Sequence, residues 1–135
     1  MSIFLNKTLF ICFLLLIVPS KQEINEQINK SIENGNSKEL SIHFHEKIEL
    51  KVVDKENLYS KHQAEKIIEE FFRQFPPSRF IEIKNNTTKN TKQVVSGRYL
   101  SGKTKFRISY LLKKFNDQFY ITQFRIEKPH EEQFH

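Results

Sequence analysis

The chain opens with an apolar block, residues 9–18, unbroken by any polar position. Lys7 stands just before it, and Val18, Pro19 and Ser20 close it. A basic start, a short apolar stretch and small residues before a cut are the marks of a secretory signal peptide. Val18 and Ser20 fall at the −3 and −1 positions of such a cut, so residues 1–20 are expected to be a leader removed between Ser20 and Lys21. Ten residues rise about 15 Å as a helix, against roughly 30 Å of hydrocarbon, so no stable membrane span is expected once the leader is gone.

After residue 20 the pattern becomes helical. Ile24, Ile28 and Ile32 recur at i+4 in a polar background and share one face. Gly35 is placed to stop that helix. Asn36 or Ser37 is placed to cap a second short helix carrying Leu40 and Phe44, with Glu39 three residues after Asn36 as a capping box. The period then drops to two, with Ile48, Leu50 and Val52 alternating with charged residues along a strand. A polar turn at 54–57 and a short return strand at Leu58 and Tyr59 follow. Ser60 and Gln63 cap the clearest helix, whose stripe is Ala64, Ile67, Ile68, Phe71, Phe72 and Phe75. Pro76 and Pro77 end it, because a proline disfavours helical geometry at the residue before it.

The remainder reads as four strands, 80–84, 93–100, 104–114 and 118–127, parted by turns at 85–90, 101–102 and 115–117. Alternation puts Ile81 and Ile83, then Val95, Gly97 and Tyr99, on the inner face. On the last two strands it selects Phe106, Ile108, Tyr110 and Leu112, then Tyr120, Thr122, Phe124 and Ile126. Gly97 inside a strand suggests a bulge or bend. Helices followed by runs of strands make an α+β domain. Its expected extent is 21–129, with 130–135 as a flexible tail.

Composition narrows the chemistry. At 135 residues the length suits one domain, and Cys12, the only cysteine, lies in the leader. Ile11 before it and the apolar run after it argue against a lipid-attachment site. The mature chain then lacks disulfides, thiolate nucleophiles and cysteine-ligated zinc. The net charge is +6, and loss of Lys7 with the leader leaves +5.

The order helix, short helix, strand, amphipathic helix and antiparallel strands resembles the nuclear transport factor 2-like superfamily of cystatin-like α+β cones. Three segments resemble more closely a family of small exported bacterial proteins known only as a domain of unknown function. They are residues 35–40, residues 53–64, and residues 106–114 with 121–127. The resemblance implies a cone of three N-terminal helices packed in a strongly bent antiparallel sheet. It also implies a pocket at the open end and, often, a homodimer through the sheet. It carries over no catalytic residue.

Enzymes of that superfamily, such as ketosteroid isomerases, use an inward carboxylate as general base. None of the inner-face positions assigned above is Asp or Glu. A one-residue slip of the first of the four strands would turn Glu82 inward. His43 and His45 share a face only if extended, and no third ligand is recognisable, so no metal site or cofactor is expected. His62 lies on another element, and His130 and His135 are in the tail. Tyr59, Phe72, Tyr99, Tyr110 and Phe124 are the pocket candidates, an apolar wall with a few hydroxyls. Arg98, Lys105, Arg107, Lys113 and Arg125 form a basic outer sheet face, mixed with Val94, Leu100 and Leu111. No aromatic-interleaved basic motif points to nucleic acid.

The expectation is an exported periplasmic or secreted domain without enzymatic activity, binding a small apolar ligand or a partner protein through its cone pocket or sheet face. The alternatives are an isomerase- or cyclase-like enzyme and a structural homodimer module.

Overall fold

A computed structural model describes residues 20–88 and 91–129. The expected leader with Cys12 (apart from Ser20), residues 89–90 and the expected tail with His130 and His135 lie outside the described residues.

Helix α1 spans Lys21–Glu33, with Ser20 Oγ accepting from the Glu23 amide at 3.3 Å. Cleavage after Ser20 would remove this cap. Gly35, at φ 62°, turns the chain out of α1. The short helix α2, Ser37–Ile42, starts on the Asn36 side chain. Strands β1, Phe44–Val52, and β2, Lys55–Ser60, form a hairpin. Helix α3, Lys61–Gln74, begins with the expected Ser60–Gln63 capping box. Strands β3, Arg79–Thr88, β4, Lys92–Ser101, β5, Thr104–Phe115, and β6, Gln118–Glu127, complete one sheet in the order β2-β1-β6-β5-β4-β3.

The α+β class stands, and three of its details are corrected. The third helix follows the β1–β2 hairpin and is not N-terminal to the sheet. The sheet is mixed, because β1 pairs with β6 in parallel while every other pairing is antiparallel. Phe44 opens β1 opposite Ile121 instead of closing α2.

Register shifts interrupt the ladders between β1 and β6, β3 and β4, and β5 and β6. Each shift bends and twists its strand, and together they curl the sheet around the helices. They also change which residues face inward. On β3 Phe80 pairs with Tyr99 and Glu82 with Gly97, so Phe80 and Glu82 face the helices. Ile81 is half-buried and Ile83 is 52% exposed, the reverse of the expected parity. On β6 the ladder steps from Gln123 to Ile121, skipping Thr122. Ile121 is therefore buried, and Tyr120 and Thr122 are not.

Gly97 faces the concave side, where an added Cβ would lie 2.5 Å from the Ile81 carbonyl oxygen and 2.8 Å from the Phe80 ring. Only glycine allows the two strands and that ring to approach so closely. The core fills the concave face, with Ile28 and Ile32 of α1, Ala64, Ile68, Phe71 and Phe72 of α3, and the inner residues of β1, β4, β5 and β6.

Candidate functional site

Aromatic rings occupy the middle of the cone. The Phe71 ring meets Phe106 edge-on at 5.0 Å and Tyr99 at 5.5 Å, and Phe75 meets Phe106 at 4.9 Å. The Tyr99 hydroxyl donates to the Phe75 carbonyl at 2.5 Å. Phe75 is the C-cap residue of α3, where no further helical turn offers its carbonyl an amide, so the tyrosine supplies the missing donor. Burial raises the Tyr99 pKa, keeping the hydroxyl protonated as a donor.

Tyr110 is tied to α1. Its hydroxyl donates to Asn25 Oδ1 and to Asn29 Oδ1, the latter at 2.8 Å, so two acceptors share one proton. The Asn25 and Asn29 amide nitrogens in turn donate to Glu82 Oε1 at 2.9 and 3.0 Å. Burial, and secondarily the Glu82 charge, raises the Tyr110 pKa. Glu82 and Tyr110 are thus brought to one place, with asparagines between them rather than a reacting group.

Phe72 stacks near Tyr99 with centroids 6.1 Å apart, and Phe124 lies parallel to Tyr110 at 6.4 Å. Of the five pocket candidates, Phe72, Tyr99, Tyr110 and Phe124 are core residues. Tyr59 alone of the five lines a cleft of about 500 Å³ between the β1–β2 hairpin and α3.

The walls of that cleft are Leu50, Val53, Tyr59, Ile67, Phe71 and Phe75. Ile67 and Phe75 are only partly buried, although they continue the buried stripe of α3. Val52, Asp54, Lys55, Glu70 and Gln74 complete its lining. Val53 holds φ 57°, a left-handed conformation unusual for a β-branched residue. Its amide donates to the Ile126 carbonyl at 2.7 Å, which ties the hairpin tip to β6. Sequence parity missed this wall. The signals were the i+4 series Ile67, Phe71, Phe75 and an apolar Val53 where alternation predicts a polar turn residue.

Asp54 and Glu70 are exposed, and so is Glu82.

The described residues contain no group of three or more His, Cys, Asp or Glu able to hold a metal ion. His43 caps α2, and His62 lies 3.8 Å from Glu65 on the surface of α3. His45 stacks on Phe115 at 4.5 Å beside a second cleft of about 550 Å³ that Lys61, Gln118 and Tyr120 also line.

The outer sheet face is less basic than its sequence suggests. Arg125 pairs with Glu56 at 2.9 Å and Glu127 at 3.2 Å, and Lys51 with Glu127 at 3.1 Å. No helix among the described residues is long and apolar enough to cross a membrane.

Crystal structures of two bacterial proteins are similar to most of this chain. A DUF4783 family protein from Bacteroides ovatus is 25% identical, with a TM-score of 0.73 over 84% of this chain and 97% of that one. A second, from Bacteroides uniformis, is 24% identical, with a TM-score of 0.73 over 78% of this chain and 97% of that one. A protein of unknown function with a cystatin-like fold from Nostoc punctiforme shares the fold at 11% identity and a TM-score of 0.63, over 82% of this chain and 89% of that one. No curated protein matches in sequence. The model of a domain of unknown function, DUF4783, matches residues 25–127, nearly the whole cone from α1 to the end of β6, and the chain belongs to that family.

Proposed function

We propose that this protein is an exported, non-enzymatic binding domain that holds a small apolar ligand in the cleft between the β1–β2 hairpin and α3. One observation carries the reading. The aromatic core fills the cone, yet Tyr59, Ile67 and Phe75 remain only partly buried around a cleft of about 500 Å³. Apolar walls with a few polar groups at the edge are typical of small-ligand pockets. Native mass spectrometry of the mature protein, purified from its own host, tests this directly. A retained small molecule that is lost in Ile67→Asp supports the reading. A bare chain, together with no methyl NMR shift at Leu50 or Ile67 on adding short-chain alcohols, sinks it.

A second reading is a homodimer through the convex sheet face. It is favoured by Val94, 41% exposed, lying opposite the half-buried Leu111 in the β4–β5 register. Sedimentation as a monomer at high concentration would remove it.

A further inference from the structure

The charges at the mouth of the cleft are unequal. Asp54 and Glu70 contribute carboxylates, and Lys55 is the one cationic side chain that lines it. The aromatic rings of Tyr59, Phe71 and Phe75 stand in the same wall. Carboxylates beside aromatic faces suit a cation twice over. They supply opposite charge, and the rings attract a cation through their quadrupole. A carboxylate head group meets the reverse, with two like charges against one opposite.

We propose that the cleft discriminates among apolar ligands by charge, taking a soluble alkylammonium compound in preference to a fatty acid. The alkyl chain lies along Leu50, Ile67 and Phe71, with the head group between Asp54 and Glu70. This rests on the reading of the cleft as a ligand site. The rim carboxylates are exposed, so the preference is modest and depends on salt.

The test is calorimetric titration of the mature chain with decyltrimethylammonium, decanol and decanoate, each below its micelle concentration, with methyl NMR to locate binding. The expected result is ammonium tightest and carboxylate weakest, separated by at least about three-fold at low salt and converging at high salt. Asp54→Asn/Glu70→Gln should bring the three affinities together, and Lys55→Gln should widen the ammonium preference. Equal affinities, or decanoate binding tightest, would overturn the charge selection while leaving the cleft as a ligand site. Failure of all three to shift the Leu50, Val53 and Ile67 methyls would overturn the cleft reading as well. Binding seen only with phosphatidylcholine vesicles would overturn the choice of a soluble ligand.

Discussion

The Tyr110 hydroxyl donates to Asn29 Oδ1 at 2.8 Å, joining β5 to α1 across 81 positions of chain. The same hydroxyl serves Asn25, which is 5% exposed, and both asparagines hold Glu82. Tyr110→Phe leaves the buried Asn25 amide oxygen and the half-buried Asn29 amide oxygen without their donor. It should cost about 1–3 kcal/mol, read from the urea midpoint at unchanged slope. Glu82→Ala should cost less, because Glu82 is exposed and one of the two amide groups it frees, that of Asn29, is only half-buried. If Glu82→Ala proves the worse of the two, the network is anchored at its outer end instead.

Gly97→Ala should be among the most damaging single changes in the sheet. The new Cβ would meet a backbone oxygen, Ile81 O at 2.5 Å, which no rotamer change can move. A loss of about 2–3 kcal/mol or more is expected. Gly102→Ala is the control. It has open space around it and φ 58°, so only the left-handed backbone penalty of about 1 kcal/mol applies. Thermal melts of the two variants should separate clearly. Equal losses would mean that β3 yields at the register shift opposite Gly97.

Much of this architecture can be read from the residues. The i+4 isoleucines of α1, the Ser60 capping box and the alternation in β5 each have one physical solution, and the elements formed accordingly. Three features had no local signal. The parallel β1–β6 pairing is a long-range choice, made when the hairpin crosses back to the far edge of the growing sheet. On β3, Phe80, Ile81 and Ile83 offer apolar residues to both faces, so parity alone does not choose, and the close approach at Gly97 brings Phe80 inward. The skipped Thr122 exchanges the faces of β6 within a single strand. The cleft was half-legible for a related reason. The bulky rings predicted around a pocket pack against one another in the middle of the cone, which leaves Tyr59 at the edge where the ring cluster ends.

His43 should make stability depend on pH. Burial lowers its pKa, the Lys61 charge lowers it further, and Glu39 partly offsets both. A folded-state value below the unfolded value of 6.5 means that the folded chain binds fewer protons in that range. The His43 contribution is therefore whole above about pH 6.5 and is lost as pH falls through the lowered value. His43→Gln should flatten the fall in stability between about pH 7 and pH 5, and Lys61→Gln should flatten it in part. Unfolding curves across that range, with the histidine titration followed by NMR, check the sign. A His43 resonance titrating above 6.5 would reverse it.

Val53 supplies the last test, because its backbone and its side chain make opposite demands. The left-handed conformation costs an L-residue roughly 1–2 kcal/mol and suits valine poorly. The hydrogen bond to Ile126 and the packing of the isopropyl group hold it there. Val53→Ala keeps the penalty and loses the packing, so it should be destabilised by about 1 kcal/mol. Val53→Gly loses the same packing but removes the penalty, which outweighs the roughly 0.5–1 kcal/mol of extra unfolded-state entropy. Glycine should therefore be at least as stable as alanine at this position, the reverse of the usual order, with urea midpoints deciding. Decanol affinity should fall in both variants, since each opens the lip of the cleft. If the glycine variant folds as well as the natural chain and also binds as well, the strain at Val53 has no connection with the cleft, and the residue holds the hairpin alone.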